Sequence, residues 1–291
     1  MLPAERIDRA LLRRWPMPVP EAGSKEERGE VFVVAGAAQT PGAAILAATS
    51  ALRAGAGKLK VATAASVAAH VAAAVPESLV VALDDLPSGG FAIENAPTIV
   101  GHANGADALV LGPGLIDEAA SGSLACAVLA QLTTPVLLDA AALAGCATDP
   151  DVLHRLGGRA VLTPHAGEMA RMMGTERNAV EEDPARFARD AARRLRAMVV
   201  MKGATTYVAQ PDGALFCNIE GDVGLATSGS GDTLAGIIGG LLARGLPPLG
   251  AAVWGVYLHA QAGRALSQRI GLGFLAREIP DEIPGLMRWA E

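Results

Sequence analysis

Aromatic residues make up only 3% of the 291-residue chain, so its core cannot be built on large rings. Cysteine is scarce as well. Cys126, Cys146 and Cys217 are odd in number and far apart, which excludes a disulfide framework and a clustered zinc site and leaves buried free thiols in a reducing compartment. Basic residues do not dominate: 24 Lys and Arg face 30 Asp and Glu, a formal charge of −6, without the basic face of a nucleic-acid binder. The one dense basic run, residues 186–196, sets Arg186, Arg189, Arg193 and Arg196 at helical spacing, as on the solvated side of an amphipathic helix. No apolar run reaches membrane-spanning length, because "AASVAAHVAAAVPESLVVAL" is broken by His70, Pro76 and Glu77. The first residues lack the apolar stretch of a secretory signal. These absences point to a cytoplasmic protein with no membrane partner.

What is abundant is small and apolar. Hydrophobic residues reach 51%, mostly Ala, Val and Leu, enough for a sizeable core of closely packed helices and sheet. Residues 1–24 read as a polar N-terminal arm, and residues 25–291 as one domain. Short strands are expected at 31–36, 58–63, 107–112, 135–140, 160–164 and 197–203, and a hairpin at 205–218 turning on Pro211, Asp212 and Gly213. Helical patterns fill 42–57, 119–132, 167–174 and 184–196, and the chain beyond Gly231 reads as mostly helical. This alternation predicts an α/β fold with a central, mostly parallel sheet flanked by helices on both faces.

In such sheets ligands gather at the carboxyl ends of the strands. Special loops stand there: "AGAAQTPGAA" from Ala35, "GPGL" from Gly112, "TPHAGE" from Thr163, "MKGATT" from Met201, and "GSGD" from Gly229. Gly229, Ser230 and Gly231 precede an apolar helix whose free amides and positive dipole end suit a phosphate. Asp232 at its mouth is either a cap or a general base for a nearby hydroxyl. His165 sits at a strand tip, with Glu168 as a first-turn acid. Lys202, followed by Gly203, Ala204, Thr205 and Thr206, is either a snorkelling edge lysine or a nucleotide contact. Neither a Walker A loop nor G-x-G-x-x-G is present.

The segments "VFVVAGAAQTPGAAILAATSALRAGAGKLKVAT", "DALVLGPGL", "PVLLDAAAL", "AVLTPHAGEMARMMG", "VVMKGATTYVAQPDG" and "LATSGSGDTLAGIIGGLLARG" follow in the order and spacing of ADP-dependent NAD(P)H-hydrate dehydratases, and the resemblance runs over residues 25–285. It implies a ribokinase-like fold and ADP-dependent dehydration of hydrated NADH or NADPH, with release of AMP and phosphate. Asp232 would be the catalytic base. Ala43, Gly114, His165 and Asp232 would contact the hydrated nicotinamide. Lys202, Gly203, Ala204, Thr205, Thr206, Gly229, Ser230 and Gly231 would hold the adenine nucleotide. Magnesium would accompany the diphosphate, with no protein metal site. The resemblance also implies a stand-alone form without an epimerase domain, and a homo-oligomer, a tetramer. Ala141 stands where the family often has a second aspartate, Ser24–Glu26 where it often has H-K-G, and Ala35–Ala37 where a G-G-S run is usual. An ATP-dependent kinase of a small hydroxylated metabolite would use the same Asp and glycine loop, and a silent nucleotide-binding module would keep the loop alone.

Overall fold

Apolar strands without in/out alternation need cover on both faces. The computed structural model, which describes residues 3–19 and 24–290, provides it. Ten strands form one sheet: β1 (Glu5–Arg6), β2 (Glu30–Val34), β3 (Lys58–Ala64), β4 (Ser78–Leu83), β5 (Ala108–Leu111), β6 (Val136–Leu138), β7 (Ala160–Leu162), β8 (Met198–Met201), β9 (Thr206–Ala209) and β10 (Leu215–Asn218). Their spatial order is β1-β10-β9-β8-β7-β6-β5-β2-β3-β4. Only β9 runs against its neighbours, because the hairpin to β10 turns at Gln210–Ala214, where Gly213 takes a φ of 96°.

Along β2, Val31 and Val33 enter one core, and Phe32 and Val34 the other. Successive side chains of a strand point to opposite faces, so a doubly covered sheet has two cores. The first lies under the helices Pro41–Arg53, Ser230–Ala243 and Pro248–Ile270. The second lies under Glu118–Leu129, Ala166–Met173 and Pro184–Leu195.

Several details differ from the sequence reading. Part of the N-terminal segment is packed onto the body: β1 lies parallel beside β10, and Ile7, Leu11, Leu12 and Met17 are buried in the first core. The run that ends in "SLVVAL" divides at Pro76 into the helix Ala68–Ala74 and the edge strand β4, since proline disfavours helix in the residue before it. Arg189 is buried, not solvated, and its Nε donates to Gly213 O at 3.3 Å, so the basic helix spends one arginine on the hairpin. Cys126, Cys146 and Cys217 are all free thiols.

The long glycine-rich helix can lie close to its neighbour only because it lacks side chains there. A Cβ on Gly236 would stand 2.1 Å from Ala47 O, and one on Gly240 2.3 Å from Ala51 O. Gly236→Ala therefore forces the helices Ser230–Ala243 and Pro41–Arg53 apart. A loss of roughly 1–3 kcal/mol in a denaturant titration is expected, and an unchanged midpoint would refute this packing account.

Candidate active site

Backbone hydrogen bonds carry the sheet ladder past the strand ends and draw the loops together. Gly112 N donates to Val34 O at 3.0 Å, Asp139 N to Leu111 O at 3.1 Å, Thr163 N to Leu138 O at 3.1 Å, and Lys202 N to Pro164 O at 2.8 Å. Gly114 has a φ of 72°, and a Cβ there would meet the Ala43 methyl at 2.4 Å, so the loop after β5 touches the start of helix Pro41–Arg53. Proline at the first turn of that helix gives up an amide that would have had no partner.

Gly229, at a φ of 88°, occupies the N-cap of helix Ser230–Ala243. This settles one alternative: Asp232 is not the cap but the third residue of the helix, in its first turn. The N-cap glycine supplies no capping side chain; Ser230 N donates to Thr227 O at 3.3 Å, and the next amide, that of Gly231, stays available to an anion. The turn is held from behind. Ser230 O accepts from Thr233 Oγ1 at 2.7 Å and lies 3.0 Å from His259 Nε2, which is also 3.1 Å from Ser230 Oγ. Burial, seconded by the charge of Lys202, pulls the His259 pKa down to about 4, while its bond to the Ser230 backbone opposes the shift. The ring is therefore neutral at physiological pH.

Lys202 leaves β8 into a carboxylate clamp. Its Nζ lies 2.8 Å from Asp139 Oδ1 and 3.7 Å from Glu168 Oε2. Asp139, only 3% exposed, also accepts from Thr163 Oγ1 at 2.6 Å. Burial is the strongest single influence on Lys202 and works against its charge. Asp139 and Glu168, with a smaller contribution from Asp232, outweigh it and hold the ammonium pKa above its ordinary value. The snorkelling alternative fails, because this lysine points inward to buried partners.

His165 caps the helix Ala166–Met173. Its Nδ1 accepts from Gly167 N at 3.0 Å and Glu168 N at 3.3 Å, while Glu168 Oε2 accepts from His165 N at 2.8 Å. This reciprocal capping box fixes both side chains. Burial lowers the His165 pKa, with help from Lys202 and Arg171 and against the pull of Glu168.

Asp232 carries the largest electrostatic anomaly of the group. Burial pushes its pKa up to about 7, the charge of Asp139 adds to this, and Lys202 partly offsets it. A carboxylate with a near-neutral pKa beside an anion-binding helix start suits proton abstraction.

A cleft of about 700 Å³ opens from this centre between the loop after β10 and helix Pro248–Ile270. Lys202, Gly203, Ala204, Thr206, Ser230 and Gly231 line it, and so does His165. Thr205 faces a second hollow on the far side of the same loop, which also touches His165 and Lys202. Ala43, Gly114 and Gly229 line neither space; a Cβ on Gly229 would meet Leu46 Cδ1 at 2.5 Å, which joins the glycine loop to the helix bearing Ala43. Sequence reasoning missed Asp139 and His259. Asp139 ends an apolar strand exactly as Lys202 does, so its position was a usable signal. His259 stands alone in a long apolar helix and gave none.

Among the described residues no group of three or more His, Cys, Asp or Glu is placed to hold a metal. Asp139 is paired with Lys202, and Glu168, 3.7 Å from the same ammonium, is also committed to the capping box with His165. The residues therefore do not fit a protein-caged metal. Nor, among the described residues, is any helix long and apolar enough to cross a membrane.

Comparison with known proteins adds a second line of observation. The profile of the NAD(P)H-hydrate dehydratase family matches residues 31–285. An ADP-dependent (S)-NAD(P)H-hydrate dehydratase of Xanthomonas campestris is 47% identical over 97% of this chain and 95% of its own length. A bifunctional NAD(P)H-hydrate repair enzyme of Moorella thermoacetica is 39% identical over 92% of this chain, which spans only 51% of that relative. The crystal structure of an ADP/ATP-dependent NAD(P)H-hydrate dehydratase of Bacillus subtilis, co-crystallised with ATP and magnesium, superposes with a TM-score of 0.83 at 27% identity, covering 100% of both chains. A ribokinase-like protein of Enterococcus faecalis matches with the same TM-score of 0.83 at 26% identity, over 99% of this chain and 96% of its own. The fold is ribokinase-like, and the chain belongs to the NAD(P)H-hydrate dehydratase family.

Proposed function

We propose that this protein dehydrates hydrated NADH or NADPH at the expense of ADP, with Asp232 as the base. The carrying observation is the placement of Asp232, its pKa near 7, in the first turn of the glycine-capped helix beside Lys202. The hydrate bears a hydroxyl on its reduced nicotinamide ring. Asp232 takes the hydroxyl proton as the oxygen attacks the β-phosphorus of ADP, and the bond to the bridging oxygen breaks to release AMP. The amide of Gly231, with the Lys202 ammonium, stabilises the charge on the transferred group. The ring nitrogen then expels phosphate, and loss of a proton from the adjacent carbon restores the double bond. Water is thereby removed as the oxygen and protons of phosphate.

In this reading Ala43, Gly114 and His165 hold the nicotinamide side, while Lys202–Thr206 and Gly229–Gly231 hold ADP. Magnesium belongs to the diphosphate, as its counter-ion. One domain over residues 25–291 does this work. A cytoplasmic homotetramer is the state the family resemblance supports.

The direct test supplies the protein with NADHX, ADP and magnesium and follows the returning ultraviolet absorbance of the reduced nicotinamide. Recovery with stoichiometric AMP supports the reading, and a folded protein that gives none defeats it. The pH profile tests the base itself. Only the carboxylate form of Asp232 accepts a proton, and its pKa is raised to about 7. So kcat/KM is expected to rise about tenfold per pH unit below that value and to level off above it. A profile flat from pH 5 to 8 would remove Asp232 as the base.

A further inference from the structure

Asn218 closes β10, and its position in the pleat aims it at the cleft. Phe216, two residues earlier, packs in the core that holds Trp254 and Tyr257 of helix Pro248–Ile270. Side chains two apart share a face, so Asn218 points to that helix too. It is only 3% exposed, and it contributes to the cleft wall. Its Oδ1 accepts from Glu220 N at 2.8 Å, which identifies the oxygen and starts the loop over the cleft. Its Nδ2 is buried and has no hydrogen-bond partner. Buried amide donors are almost always paired, so an orphan at a ligand cleft points to a partner that arrives with the ligand.

The chemistry of that partner follows from position. Phosphates belong at the other end, with Gly231 and Lys202. β10 lies two strands from β8, so Asn218 is about 10 Å from the β8 line in the sheet plane. Val223, Leu225, Val256 and Ala260 also line the cleft and give it an apolar slot suited to a flat base. With its oxygen committed to Glu220, Asn218 offers this slot a donor. Unprotonated ring nitrogens of a purine are acceptors that carry no charge and fit such a slot.

We propose that Asn218 is the base-reading residue of the nucleotide cleft: its Nδ2 donates to one ring nitrogen of the adenine of ADP. The assignment rests on the proposal that this cleft takes ADP. It makes Asn218 a specificity residue, remote from the bond-making centre.

The test uses the whole protein, calorimetric titration, and ADP with its 1-deaza, 3-deaza and 7-deaza analogues, each lacking one ring acceptor. The wild type is expected to bind one of the three about tenfold more weakly than ADP, the effect of one lost hydrogen bond to a buried donor. Asn218→Asp keeps Oδ1 for Glu220 N but replaces the donor with an acceptor. It should bind ADP at least about tenfold more weakly and no longer distinguish ADP from that analogue. Asn218→Ser, which also removes the amide, should lose the same discrimination and serves if the aspartate variant does not fold. If all three analogues bind the wild type like ADP, or the penalty persists in the variants, the assignment is overturned. Wild-type protein that binds no ADP overturns the nucleotide reading itself and the assignment with it.

Discussion

Asp232→Asn is expected to remain folded, to bind ADP, and to lose about 10²–10⁴ of the dehydration rate, the contribution typical of a positioned general base. The amide keeps the shape of the carboxylate but cannot take the proton. The stability of this variant supplies a second, independent sign. The Asp232 pKa is raised on folding, from an unfolded value near 3.8 to about 7. The folded state therefore holds its proton more tightly than the unfolded state does. The charged form costs stability as pH rises from about 4 to about 7, and the full cost is present above that. Asparagine carries no such cost. Asp232→Asn should thus melt higher than wild type at pH 8, with the advantage gone at pH 3.5. Lower stability at pH 8 together with full activity would contradict both the burial and the role assigned to this side chain.

Lys202→Met should have the largest effect on stability. It leaves Asp139, 3% exposed, without its cation, and breaking a buried pair from one side costs roughly 3–5 kcal/mol. The same substitution removes the charge that holds the Asp232 pKa down. The acid limb of its rate profile should move above pH 7, and affinity for ADP should fall. Asp139→Asn works the other way on Asp232: it removes the negative charge that raises that pKa, so the limb should move below pH 7. Lys202 keeps Glu168 at 3.7 Å in this variant. The double variant should recover much of the stability lost in Lys202→Met, because neither charge is then stranded. Shifts of the two limbs in the same direction would show that Asp139 and Lys202 do not act on Asp232 as a pair of opposite charges.

Much of the molecule can be read from local pattern. The runs that became β2, β3 and β5 to β10 are short, mostly apolar and often β-branched, and are bounded by glycine, proline or polar residues. Each sets its own conformation and its need for cover on both faces, without reference to the rest of the chain. β1 was not legible, since two polar residues at a sheet edge carry no periodicity. β4 was hidden because its apolar residues continue a helical run across Pro76. Arg189 was misread for a related reason: helical spacing tells which residues share a side, but not what covers that side.

The sequence by itself determined which chemistry-bearing residues stand beside the strand-end and glycine loops, and therefore which of them are candidates for one site. Glycines, His165, Lys202 and Asp232 are each placed there by their neighbours in the chain. Only the tertiary structure decided what those residues are to one another. It made Gly229 the cap and freed Asp232 from that task. It brought Asp139 and Glu168 onto Lys202, backed Ser230 with His259, and left Asn218 with an unspent donor over the cleft. The physical reason is range. Secondary structure follows from contacts a few residues apart, whereas the Asp139–Lys202 pair spans 63 residues, and the charge and burial that move Asp232 to about 7 exist only once distant strands are adjacent.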